Sequence, residues 1–302
     1  MTLALIIGGL VLLAFPGWFE PRHGFGPARF ARLARASVTL GFVGIILGLT
    51  LWGAPAMLHW ADAVGVPGLC DDAIHQLPFG GLELAIPMNA IALAVIGRAF
   101  SAARHARLSA RRARVDPFFG HHRRMGGYDV VVIPSAQLVA VGIPGVEPQI
   151  VLSEGLVAEL TSTQIDAVIR HEVAHHRLRH RHYLFIASVI DQVFGWMPPV
   201  RSSTTCLRNA VEEWADVEST GSSHAHTATL RSALQRLASR KTTVDRHSIE
   251  RRIASLDSGR TEGPGRPYSP GPWVPSLALG ALGTVALIST LQLTDAIIRC
   301  RT

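Results

Sequence analysis

Arg170-His171-Glu172-Val173-Ala174-His175-His176 lies inside an apolar, helix-compatible run from Ile165 to Arg177. On a helix, His171 and His175 share one face about a turn apart, so both imidazoles can reach one metal ion. Glu172, next to the first histidine, can touch a water held by that ion. This is the zinc-hydrolase arrangement, in which the metal makes the water acidic and the carboxylate takes its proton. The pattern is short and the chain holds 14 histidines, so a histidine-rich amphipathic helix at a membrane surface is the competing reading. Val173 and Ala174 are small and apolar, which suits a helix buried behind a metal. Thr163, with Asp166 three residues later, resembles a capping box at the helix start.

A catalytic zinc site needs a third protein ligand and leaves a fourth position for water. Downstream runs Asn209-Ala210-Val211-Glu212-Glu213-Trp214-Ala215-Asp216. Glu212 and Asp216 are four apart and share a helical face. Glu212 is the expected third ligand, and Asp216 is expected to orient a ligand histidine through its free ring N–H. Glu213 points about 100° away on an ideal helix and is the weaker choice.

The H-E-x-x-H pattern followed by Glu212-x-x-Ala215-Asp216 resembles the integral-membrane gluzincin peptidases, a group that includes the HtpX-type heat-shock proteases, the CAAX prenyl-protein proteases and the beta-lactam sensor-transducer proteases that inactivate a repressor. The resemblance runs from about Pro134 to Leu256. Ala140-Val141-Gly142, Gln149 to Ser153 and Gly155-Leu156 look like the family's edge strand and the approach to its first short helix. His247, Arg252-Ile253 and Leu256 resemble a downstream H-x-x-x-x-R-I-x-x-L element. The resemblance implies one catalytic zinc ion (Zn2+) held by His171, His175 and Glu212. It implies Glu172 as the base that later protonates the leaving amine, and His247 or Arg252 as donor to the tetrahedral oxyanion. The membrane layout is most similar to the sensor-transducer type. That type carries a large extracellular drug-binding domain after its last span, whereas this sequence runs only to Thr302, so direct beta-lactam sensing is not expected.

Composition agrees with a membrane protein. The 302 residues are 48% hydrophobic, with a formal net charge of +7 and a mean hydropathy of +0.26. Almost every basic residue is Arg, the sole Lys being Lys241. No recognised nucleic-acid fold accompanies that charge, so a membrane-surface role explains it and direct nucleic-acid binding is not expected. Cys70, Cys206 and Cys300 form no C-x-x-C pair, which argues against a cysteine metal site.

The expected fold is mainly α: about four transmembrane helices and a zincin-like α+β catalytic domain built on a small sheet and the H-E-x-x-H helix. Residues 1–100 are expected to hold spans at about 2–19, 38–58 and 82–100, the second with a small-residue face of Gly41, Gly44 and Gly48. The third carries Pro87 and Asn89, which suit a kink or a polar helix–helix contact. A basic loop at Arg22, Arg29, Arg32 and Arg35 and a basic linker over 101–128 fall on one side by the positive-inside rule. The acidic loop 59–81 falls on the other. That puts the N-terminus outside and the catalytic domain, 129–257, in the cytoplasm of a bacterial-type cell. Strands are expected at 129–133, 137–142 and 148–152, with the edge at 138–142 open to strand addition by substrate. A linker over 258–273, a last span at 274–294 and a tail at 295–302 complete the chain, with Cys70 and Cys300 on the outer side and able to pair.

Residues 183–200 are apolar but interrupted by Asp191 and Gln192 and closed by Pro198-Pro199. A single crossing here would put His175 and Glu212 about 30 Å apart, against zinc bonds of about 2 Å. The segment is therefore expected to form a membrane-associated hairpin or to lie on the surface. His176, His180 and His182 are assigned to favourable interaction with the helix C-terminus. The expected partners are a protein or peptide substrate, the lipid bilayer, and a repressor or sensor. Two alternatives are a membrane-protein quality-control protease and a non-catalytic signalling protein with a structural, four-ligand zinc site.

Overall fold

The computed structural model describes residues 2–18, 26–63, 82–112, 121–125, 128–143, 149–240 and 243–258. In chain order these form α1 (Thr2–Trp18), α2 (Pro27–Ala63), α3 (Leu82–Arg112), β1 (His121–Met125), β2 (Tyr128–Ile133), β3 (Ala140–Ile143) and β4 (Gln149–Ser153), followed by α4 (Glu154–Glu159), α5 (Ser162–Arg177), α6 (Arg181–Phe194), α7 (Pro198–Thr220), α8 (His224–Arg240) and α9 (Thr243–Asp257). The chain is mostly helical with one small mixed sheet.

Two of the described helices, not four, are long and apolar enough to cross a membrane: Pro27–Gly53 and Ile86–Leu108. They contain most of the spans expected at 38–58 and 82–100. The stretch expected at 2–19 forms α1, an apolar helix of 17 residues, about 25 Å long against a hydrocarbon core of about 30 Å. The span at 274–294, the linker 258–273 beyond Ser258, the tail, Cys70 and Cys300 lie outside the described residues. Arg29, Arg32 and Arg35 are not in a loop, because α2 already begins at Pro27. Helix α3 likewise continues to Arg112, and the basic stretch His121–Met125 is a strand.

Helices α1 and α2 pack through glycine. A Cβ on Gly41 would meet the Gly9 carbonyl oxygen at 2.6 Å and the Leu13 nitrogen at 2.9 Å, so the two backbones approach as closely as only glycine permits. Asn89 of α3 donates from Nδ2 to the Gly53 carbonyl at 2.6 Å, making the polar interhelical contact. Ser203 of α7 ties the C-terminal end of α1, accepting from the Gly17 N–H and donating to the Ala14 carbonyl.

Residues 183–200 double back. Helix α6 runs from Arg181 to Phe194, the chain turns over Gly195–Met197, and α7 returns with prolines in its first turn, where the missing N–H groups cost nothing. Tyr183, Ala187, Ile190 and Phe194 of α6 join Leu207, Ala210 and Val211 of α7 in one buried cluster with Phe30, Ala31, Ala34 and Val38 of α2. Asp191 is held inside the hairpin by Thr204 and Arg208.

The sheet has the order β1-β2-β4-β3, with β2 and β4 parallel and the outer pairs antiparallel. Val130, Val132, Ile150 and Leu152 point to one face, where Leu156, Ile165, Val168 and Ile169 cover them. Burial of these β-branched and aliphatic side chains presses α5 onto the sheet and fixes its direction. Strand β3 is left at the outer edge, close to the expected 138–142.

Candidate metal centre

The N-cap of helix α5 lies two residues before the expected one. Thr161 is the N-cap: its hydroxyl accepts from the Gln164 N–H, and Gln164 Oε1 accepts from the Thr161 N–H. The Thr161–Gln164 box wins over Thr163–Asp166 because Gln164 is buried and also donates to Ser232. From that start, Ile165, Val168 and Ile169 face the sheet and Ala174 is buried behind the histidine face.

His171 and His175 bring their Nε2 atoms within 3.1 Å of each other. Glu212 of α7 faces both, with Oε2 at 3.4 Å from His171 Nε2 and Oε1 at 3.4 Å from His175 Nε2. Two nitrogens and a carboxylate thus converge on one point. Tetrahedral bonds of about 2.0–2.1 Å to one ion put ligand atoms about 3.3 Å apart, close to the spacings between each imidazole nitrogen and the carboxylate oxygen facing it. Both histidines must be neutral and the glutamate ionised to serve as ligands. Burial opposes ionisation of Glu212, but hydrogen bonds from His171 and His175 and the charge of Arg252 hold its carboxyl well below the usual range.

Each ligand histidine has a partner behind it. His171 Nδ1 lies 2.9 Å from Asp216 Oδ1, the orienting contact expected of a residue one turn beyond Glu212. Asp216 also accepts from Arg252 Nε at 2.8 Å and Nη2 at 2.6 Å, while Arg252 Nη1 lies 3.2 Å from Glu212 Oε2. Burial and the Arg252 charge push the His171 pKa down, but Asp216 and Glu212 outweigh them and raise it to about 9. Burial opposes charge on Asp216 too, yet Arg252 and His171 lower its pKa.

His180 backs His175. It is fully buried, and its Nδ1 lies 3.1 Å from His175 Nδ1. Burial first, then the neighbouring His175, lower its pKa to about 3. Its place is set where α5 ends: Arg179 adopts φ 55°, an uncommon conformation for a residue with a Cβ, and the His180 N–H returns to the His175 carbonyl at 3.0 Å. The side chain thus does not serve the helix terminus, as its sequence position had suggested. Periodicity gave no hint of this contact, since residues five apart do not share a helical face and only the break at Leu178 and Arg179 brings them together.

Glu172 sits on the adjacent face of α5 and points to the sheet edge, where the Gly142 N–H donates to its Oε2 at 2.9 Å. Sequence could not foresee this backbone contact. A cavity of about 880 Å³ opens here between β3 and α5, lined by Val141, Gly142, His171, Glu172, Glu212 and Arg252 among others. His247 is exposed on α9, outside that lining. The same helix does bring Arg252 to the centre, where it pairs with acids.

No curated relative and no solved structure matches the chain. Residues 102–246 match the family model described as Peptidase family M48. Members of that family are metal-dependent, and the match, together with the His171–His175–Glu212 group, supports a metallopeptidase.

Proposed function

We propose that the chain is a membrane-associated, zinc-dependent endopeptidase that hydrolyses peptide bonds of protein substrates. The observation that carries this is the convergence of His171, His175 and Glu212 at 3.1–3.4 Å. His171, His175 and Glu212 would hold the ion, which would supply an acidic water and polarisation of the scissile carbonyl. Glu172 takes the proton and passes it to the leaving amine. The Gly142 amide fixes its carboxylate beside β3, whose outer edge can accept an extended peptide as a further strand. Arg252 lies at the cavity wall and is the nearer of the two candidates, His247 and Arg252, for stabilising the oxyanion. The metal group offers three donors among the described residues, which favours an open, catalytic site over a structural four-ligand one.

A bilayer location is supported by the outer surface of the helices. On α3, Ile86 is 60% exposed, Leu93 70% and Phe100 71%, and Leu40, Val43 and Leu47 of α2 are exposed too. A continuous apolar face of this kind suits lipid rather than water. Arg29, Arg32 and Arg35 start α2 on the side of the metal centre. Arg98, near the C-terminal part of α3, bonds to the Gln192 carbonyl of the α6–α7 hairpin. Positive charge at the catalytic end favours a cytoplasmic catalytic domain.

The test is paired. Glu172→Gln is expected to keep the metal and abolish proteolysis, and Glu212→Ala to lose the metal. Comparing cellular peptides between wild type and Glu172→Gln would identify substrates and so separate repressor cleavage from quality control of membrane proteins. Peptidase activity retained by purified Glu172→Gln would refute the assignment.

A further inference from the structure

We infer that His180 is a positioning residue that fixes the tautomer and ring orientation of His175 for metal binding. The inference rests on the metallopeptidase reading above and deepens it.

His175 turns its Nε2 toward His171 and Glu212. For that nitrogen to donate a lone pair to a metal, the ring proton must sit on Nδ1. The neighbour of Nδ1, at 3.1 Å, is His180 Nδ1. His180 must then accept there and carry its own proton on Nε2. Among the described residues, His180 Nε2 is buried without a hydrogen-bond partner, as suits an N–H enclosed among aromatic rings. The rings are present: Trp214 lies 4.8 Å and Tyr183 6.1 Å from His180, centroid to centroid, and the two aromatics meet edge to face at 5.8 Å. Behind them stand arginines of α2, with the Arg35 guanidinium 4.5 Å above Tyr183 and that of Arg32 5.3 Å above Trp214.

The two ligand histidines are therefore held differently. His171 leans on a carboxylate, which makes the ring more basic. His175 leans on a neutral imidazole enclosed by aromatics, which orients the ring without adding charge. Outer partners of metal-bound histidines set both orientation and affinity.

The experiment uses the full chain, purified in detergent, stripped with a chelator and reloaded with zinc or cobalt(II). His180→Leu fills similar space without an acceptor. His180→Asn places its Oδ1 where Nδ1 stands. His180→Leu is expected to weaken zinc binding about 10–100-fold by chelator competition and to shift the visible absorption of the cobalt form. His180→Asn is expected to restore both. His180→Gln, whose amide reaches past that point, replaces the leucine variant should it not fold, and is expected to bind weakly. Wild-type zinc affinity and cobalt spectrum in His180→Leu or His180→Gln would overturn the inference, as would His180→Asn performing no better than they do. A wild-type chain that takes up neither ion would overturn the metallopeptidase reading as well, an outcome distinct from a metal-binding wild type matched by its His180 variants.

Discussion

Asp216 is the residue on which the electrostatics of the metal centre turn, and Asp216→Asn puts a magnitude on it. The carboxylate is buried at 3% side-chain exposure and makes three contacts, to Arg252 Nε, Arg252 Nη2 and His171 Nδ1. The substitution keeps the shape and removes the charge. Arg252, itself mostly buried, is left with Glu212 as its only anionic partner among these contacts, and Glu212 belongs to the group that could hold a metal. Removing one partner of a buried pair costs about 3–5 kcal/mol. At roughly 2–4 °C per kcal/mol, the metal-free protein should melt on the order of 10 °C lower. Loss of the orienting carboxylate should also weaken metal binding about 10–100-fold. Arg252→Met removes the other partner, so the double variant should lose less than the sum of the single losses, with coupling on the order of 1–3 kcal/mol. Tryptophan fluorescence reads the melting and chelator competition the affinity. A variant that melts within about 2 °C of wild type and binds metal as tightly, or a strictly additive double variant, would refute the reasoning.

Two further outcomes are expected. In the metal-free protein His171 titrates at about 9 against 6.5 for the free side chain. The folded state holds that proton more tightly, so its contribution to stability is complete below pH 6.5 and disappears as pH rises through 9. The melting temperature of chelator-stripped protein should therefore fall over this window while zinc affinity rises; a melting temperature that climbs there would contradict the His171–Asp216 pairing. Gly41→Leu should cost at least about 1–3 kcal/mol by forcing α1 from α2. Gly44→Ala should be tolerated, since a Cβ there meets the Leu5 oxygen at 3.5 Å; equal losses in thermal melts would show that the helices do not pack through Gly41.

What could be read from the chain depended on the range of the physics involved. His171, His175, Glu212 and Asp216 obey helical spacing, so their pairing on two faces was legible, and the structure brings all four together. That 183–200 turns back on itself follows from chain geometry once His175 and Glu212 are required to meet, and the break between Phe194 and Pro198 is where it turns. The sheet was nearly as legible: 129–133 is a short β-branched run, and Pro134, Pro144 and Pro148 bound it and the segment 148–152. Strand β1 was hidden because His121 to Met125 is charged and exposed, and it pairs through backbone groups that side chains do not advertise. Gly126-Gly127, between β1 and β2, is the composition of a tight hairpin and was the available sign. His247 and Arg252 share a helix, and spacing alone did not separate the exposed residue from the buried one. His180 and the Gly142 amide depend on a helix break and on a sheet edge, both products of tertiary packing.

Helix α7 serves two masters. Leu207, Ala210 and Val211 are locked into the cluster shared with α2, and Ser203 is pinned to the end of α1. Glu212 follows on the same rod, nine residues beyond Ser203, or roughly 13 Å along its axis. A tilt of about 5° pivoting at Ser203 would carry the Glu212 carboxylate about 1 Å, twice the roughly 0.5 Å tolerance of a preorganised site. The third donor therefore keeps its aim only while α7 stays seated against α1 and α2, so a packing defect at Ser203 or Val211 would be felt at the carboxylate of Glu212.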